Sequence, residues 1–188
     1  MAVSQPVATR VRLHESGPEI SSVVWGTMRC EEQFASVDAL ADFLRFLLDH
    51  GVTTLDTANT YGVPTPYTVE EFLGKAVAKV GRKRFEIITK CGIQRISPLR
   101  PENRIRHFDF SAAEINFSVN RSLDKLGIDQ ADLILLHRPD YLMDPAETGP
   151  AMDALVASGR TRHVGVSNMS PSRMDLLASR QKAPIVTN

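Results

Sequence analysis

Short β-rich runs alternate with longer segments in which apolar residues recur every three or four positions, and the alternation holds along the whole chain. The first run, Ser21 to Met28, is followed by Val37, Leu40, Phe43, Leu44, Leu47 and Leu48 at helical spacing, with Gly51 as the stop. A second strand is predicted over Val52 to Ala58, and a helix opened by Thr68 with Glu71 three residues on, the spacing of a capping box. The third strand is Phe85 to Lys90. Its helix begins at Ser111 with Glu114 as a second capping box, and carries the apolar stripe Ile115, Val119, Leu123, Leu126. The fourth strand, Ala131 to His137, leads to a helix starting at Asp144 and Pro145 and closed by Gly159; Pro150 lies inside that pattern and predicts a kink or a shorter helix. The fifth, Arg162 to Asn168, is followed by Ser170 as N-cap and Pro171 at the first helical position, and a sixth run spans Pro184 to Asn188.

Strands that alternate with helices wind into a parallel sheet with the helices outside it. A closed barrel of this kind has eight strands and roughly 250 residues. Six strands in 188 residues therefore predict an α/β fold, a (β/α)8 TIM barrel that is incomplete, with about six of the eight βα units and truncated after the sixth strand. Residues 1–188 read as one domain, the N-terminal portion of that barrel.

Composition removes several function classes. The 22 basic and 22 acidic residues cancel, and no stretch gathers cations as a nucleic-acid surface requires. The first 20 residues lack an apolar core of signal-peptide length. No later run approaches the roughly 20 apolar residues of a membrane span, so a cytoplasmic protein with no nucleic acid or membrane partner is expected. Cys30 and Cys91 are too few for a disulfide framework and read as reduced, non-catalytic thiols; the five histidines are scattered without an H-x-H pair, so no metal is expected. The longest irregular stretch, Cys91 to Phe110, holds Arg95, Arg100, Arg104, Arg106 and His107. It reads either as a solvated arginine-rich face or as a loop shaping a substrate pocket.

In a βα barrel the working residues stand at the C-terminal ends of the strands. Asp56 ends the second predicted strand, Tyr61 follows in its loop, Lys90 ends the third and His137 the fourth. Each alone is weak: a strand-end Asp caps a turn, a Tyr packs, a Lys is solvated. Together they form an acid-base set. A free phenol has a pKa of about 10, too high to exchange protons readily near neutrality. An ammonium about 4 Å away, at an effective dielectric near 20, stabilises a phenolate by roughly 4 kcal/mol before desolvation is subtracted. Lys90 is the candidate to tune Tyr61, Asp56 to keep Lys90 charged and oriented, and His137 to hold a substrate oxygen or relay a proton.

The motifs D-T-A-N-T-Y-G (Asp56 to Gly62), E-x-x-L-G-K-A (Glu70 to Ala76), I-I-T-K (Ile87 to Lys90), L-L-H-R-P-D (Leu135 to Asp140) and G-V-S-N (Gly165 to Asn168) occur in order across nearly the whole chain. In this the chain resembles the aldo-keto reductase superfamily. The resemblance implies an oxidoreductase that reduces an aldehyde or ketone by hydride transfer from NAD(P)H, with NADP as the cofactor, NAD as the alternative, and a small-molecule carbonyl as substrate. It implies Tyr61 as general acid tuned by Lys90 and Asp56, with His137 orienting the carbonyl. Ser167 and Asn168 match residues that bind the nicotinamide carboxamide, while Gly26, Thr27 and Met28 match the segment beside the nicotinamide and Asp56. The segment Val11 to Ile20 corresponds to a small hairpin closing the barrel's bottom. The alternative readings are a non-catalytic nicotinamide-binding or regulatory relative, or an inactive fragment. Neither the substrate nor the oligomeric state is written in these motifs.

Overall fold

Each predicted strand becomes one rung of a parallel wall. The computed structural model describes residues 7–62 and 67–188. Two short strands come first, β1 (Arg10–Arg12) and β2 (Glu19–Ser21), paired antiparallel as a hairpin. Then follow β3 (Val24–Gly26), a single turn α1 (Cys30–Gln33), α2 (Val37–Asp49), β4 (Thr54–Asp56) and α3 (Thr68–Val80). After a 3-10 turn at Arg82–Arg84 come β5 (Glu86–Cys91), β6 (Ile93–Gln94), β7 (His107–Phe108) and α4 (Ala112–Leu126). The series closes with β8 (Ala131–Leu136), α5 (Pro145–Ala157), β9 (Thr161–Val166) and α6 (Pro171–Ala178). The main sheet runs β3-β4-β5-β8-β9, every neighbour parallel. The sixth predicted run takes the next position beside β9: Val186 N–H donates to the Val164 carbonyl and Val166 N–H to that of Thr187, both at 3.0 Å. Sequential strands that each add to the same edge, with helices over one face, form the wall of a partial (β/α)8 barrel.

Both faces of that wall are apolar, as parallel sheets require. Because side chains alternate along a strand, Ile87 packs outward against Leu44, Leu73 and Val77 of α2 and α3, while Ile88 points the other way and joins Leu133, Leu135 and Val186. Ile134, Leu136, Val164 and Val166 likewise face Ile115, Val119, Met152 and Leu155 of α4 and α5. Helices α3 and α4 meet closely at Gly74, where a Cβ would lie 2.4 Å from the Leu126 carbonyl oxygen. The N-terminal hairpin sits where the resemblance implied. Its Arg10 reaches Glu86 at the start of β5, and Leu13 packs on the inner cluster.

Several local expectations are corrected. Thr68 does not cap α3: the cap position is Tyr67, with φ 70°, and the Thr68 hydroxyl donates to Glu31 at 3.1 Å. Glu71 instead holds Lys75 at 2.8 Å and Lys125 at 2.6 Å, charge-assisted partners stronger than a backbone N–H. Ser111 does cap α4, accepting from Glu114 N–H, but the Glu114 carboxylate turns to Arg100 and Ser118 rather than back to the cap. Ser170 occupies its cap position with its hydroxyl against that of Ser172. Helix α5 continues through Pro150 in its second turn, where the helix forgoes the backbone bond that the missing donor would have made to the Ala146 carbonyl; both residues are exposed. The stretch from Cys91 to Phe110 contains the β6/β7 hairpin, entered at Gly92 with φ 101°. No helix among the described residues is long and apolar enough to cross a membrane.

Candidate active site

Strand register brings the four acid-base candidates to one mouth. Lys90 pairs across to Leu135 and Ile88 to Leu133, so Lys90 shares the inner face of the wall with those residues, one step from the end of β5. Asp56 ends β4 opposite Ile88. The loop after β4 is tied down by main-chain bonds: Thr57 N–H donates to the Ile88 carbonyl, Asn59 N–H to that of Lys90 and Tyr61 N–H to that of Ala58. His137 follows β8, its N–H donating to the Cys91 carbonyl at 2.9 Å.

The resulting geometry is tight around the lysine. Lys90 Nζ lies 2.7 Å from each Asp56 carboxylate oxygen, 2.9 Å from the Thr57 carbonyl and 3.4 Å from the Tyr61 hydroxyl. Its side chain is only 8% exposed, so these three partners replace nearly all of its water. The His137 ring stands edge-on to that of Tyr61, centroids 5.9 Å apart. Burial, and then the positive charges of Lys90, Arg138, Arg106 and Arg95, push the imidazole down to about 3, so it is neutral across the physiological range. Its Nδ1 is buried without a hydrogen-bond partner among the described residues. Tyr61 and His137 line a cleft of about 290 Å³ together with Ile93, Arg95, Arg106 and Arg138.

The other predicted site residues surround this centre without all touching it. Gly26 ends β3 with open space where a Cβ would project, and Met28 is exposed on the rim of the cleft. Thr27 is buried and structural in its contacts, its N–H and hydroxyl both donating to the Asp56 carbonyl. Ser167 and Asn168 follow β9, two strands along from Lys90. Asn168 is left-handed at φ 61° and donates to the Ser167 hydroxyl at 2.8 Å, on the solvent side. Both cysteines are buried, and burial raises each thiol to about 12, which keeps them protonated and unreactive. Motif reading passed over the Thr57 carbonyl, a backbone group with no sequence signal, and Arg138, whose place beside His137 in L-L-H-R-P-D was the available cue.

Residues 22–188 match the model of the Aldo/keto reductase family. The chain is 42% identical over 173 residues to a 6-dehydroglucose reductase of Agrobacterium fabrum, a match covering 90% of this chain and 57% of that protein. It is 40% identical over 181 residues to the oxidoreductase YdhF of Escherichia coli, covering 95% of this chain and 59% of that one. The holo form of an aldo-keto reductase from Bacillus halodurans superposes with a TM-score of 0.77 at 26% identity, over 93% of this chain and 55% of that one. The chain thus spans 55 to 59% of the length of these relatives.

Proposed function

The chain belongs to the aldo/keto reductase family, and from that premise we propose that the protein reduces an aldehyde or ketone with NAD(P)H, Tyr61 delivering the proton. The observation that carries the proposal is the Lys90 ammonium, which lies 2.7 Å from the Asp56 carboxylate and 3.4 Å from the Tyr61 hydroxyl at the mouth of the barrel wall.

The residues present fit a nicotinamide. Gly26 leaves open space at the end of β3, and the Ser167 hydroxyl and Asn168 amide offer the donor and acceptor pair that a carboxamide needs. When bound, the reduced nicotinamide supplies a hydride to the carbonyl carbon. Tyr61 then gives its hydroxyl proton to the carbonyl oxygen, and the phenolate that remains is stabilised by Lys90. Asp56 and the Thr57 carbonyl hold the ammonium in place, so little reorganisation accompanies the proton's departure. His137, neutral, acts as a hydrogen-bonding group that orients the carbonyl rather than as a charged acid. NADP is the proposed cofactor and NAD the alternative.

Tyr61→Phe in the whole protein should lower kcat/KM for a reactive aldehyde by about 10²- to 10⁴-fold, while fluorescence titration of NADPH is retained. Undiminished turnover in that variant would remove Tyr61 from the mechanism.

A further inference from the structure

Arginines at the two ends of the sheet are treated differently. At the N-terminal ends of the strands, Arg10, Arg82 and Arg162 each reach a carboxylate. At the other end, Arg29, Arg95, Arg106 and Arg138 line the cleft that holds Tyr61 and His137. None of these four makes an ion pair among the described residues, and residues 1–6 and 63–66, which lie outside them, contain no Asp or Glu. Glu32 is the one acidic residue lining the same cleft, and it pairs with none of them.

This gathering is not the by-product of one basic run. Arg29 follows β3, Arg95 and Arg106 come from the two ends of the loop after β5, and Arg138 follows β8. Arg95 is positioned as well as present: its Nη1 donates to the Gly62 carbonyl at 3.2 Å, and its own carbonyl accepts from Asn103. Converging like charges repel one another, and exposed side chains relieve that cost by spreading into water or finding carboxylates. Arg29, Arg106 and Arg138 are exposed and Arg95 half-buried, so water screens part of their repulsion. Four cations from three loops that face one cleft, with no ion pair among the described residues, still form a positive field that a ligand's negative charge would satisfy. The positive charges of Arg138, Arg106 and Arg95 also bear on His137, in keeping with their place around the reacting end.

We propose that the substrate is an anionic carbonyl compound, whose carboxylate or phosphate is held by Arg95, Arg106 and Arg138 while its carbonyl faces Tyr61 and His137. This rests on the carbonyl-reduction reading above. The phosphates of the cofactor are the competing source of negative charge. Ser167 and Asn168, the carboxamide candidates, follow β9 and do not line this cleft, which opens over β3 to β8. That separation assigns the anion to the substrate.

The test uses the whole protein, with succinic semialdehyde and butanal as two four-carbon aldehydes that differ by a terminal carboxylate in place of a methyl. At low salt kcat/KM should favour succinic semialdehyde by about tenfold or more, and the preference should shrink as salt is raised. Arg106→Gln and Arg138→Gln should each lower that ratio about tenfold, chiefly through KM. Arg104→Gln, on the same loop but outside the cleft, should leave it. Calorimetric titration of the cofactor-loaded protein with succinate supplies a readout free of turnover. Equal rates on the two aldehydes, with a ratio the arginine variants do not move, would overturn the anion site and leave carbonyl reduction standing. Turnover of neither aldehyde, with succinate binding lost in Arg138→Gln, would sustain the site and count against the reduction. Arginine variants that weaken NADPH binding while the aldehyde ratio holds would reassign the cleft to the cofactor and overturn the proposal, as would a protein that neither binds succinate nor prefers the charged aldehyde.

Discussion

Asp132 near the start of β8 and Lys90 near the end of β5 are both charged groups held by several partners, yet their surroundings differ in kind. Asp132 accepts from Arg82 at 2.7 Å and from the Ile87 N–H at 2.9 Å, and pairs with Arg162 at 3.3 Å, and every group in that cluster is answered. The same holds for Glu86, which accepts from Arg10, Thr53 and Thr54; burial opposes ionisation there, and those hydrogen bonds nevertheless hold its carboxyl below the usual range. Lys90 is answered too, but beside it stand a histidine with an orphan Nδ1 and a set of arginines without counter-ions. Closed charge at the bottom of the wall stabilises a conformation. Open charge at the top leaves bonding capacity for something that arrives.

The largest effect is expected at the top: Lys90→Met should cut kcat/KM by about 10²- to 10⁴-fold, read from aldehyde-dependent NADPH oxidation alongside the melting temperature. A variant that kept most of its activity would show that the ammonium does not serve the proton transfer. At the bottom, Asp132→Ala strips a partner from two arginines and from the Ile87 N–H. It should cost about 2–4 kcal/mol in urea unfolding and leave turnover per folded molecule as it was.

Between the two ends lies Glu70, fully enclosed between α3 and the sheet and accepting from the Thr89 hydroxyl at 2.5 Å. Burial pushes its carboxyl up to about 7 from 4.5. A raised folded-state value means its contribution is complete below about 4.5 and fades as pH rises through about 7. Stability should therefore fall by roughly 3 kcal/mol across that window, and Glu70→Gln should flatten the slope measured by urea unfolding at a series of pH values. An unaltered slope in the variant would assign the dependence to other groups. The smallest effect belongs to Arg10→Ala. With its side chain 44% exposed, solvent already screens the pair with Glu86, and a loss of no more than about 1 kcal/mol is expected.

How legible these two ends were follows from the range of the forces involved. The helices α2 and α4 were plain in the 3.6-residue recurrence of Leu40, Leu44 and Leu47 or of Ile115, Val119 and Leu123, because burial of one stripe is a local pattern. The strand ends that present Asp56, Lys90 and His137 were equally plain, since a parallel wall puts every strand terminus at the same mouth. The capping box at Thr68 failed because the side chains concerned had alternatives through space, Glu31 for the threonine and Lys75 and Lys125 for Glu71. The arginines of the Cys91 to Phe110 stretch were visible as composition alone. Only the β6/β7 hairpin and the Gly92 entry bring Arg95 and Arg106 to one cleft, while Arg100 leaves it for Glu114.

The amino-acid order alone settled the alternation of strand and helix, the apolar stripes of the long helices, and the standing of Asp56, Lys90 and His137 at successive strand ends with Tyr61 in the loop after Asp56. These depend on periods of two and 3.6 residues and on nothing distant. Which charges are neutralised and which stay open was decided by tertiary structure. Electrostatic pairing depends on separations of a few ångströms between residues as far apart as Arg10 and Glu86 or Arg82 and Asp132, and strand order and loop path set those separations.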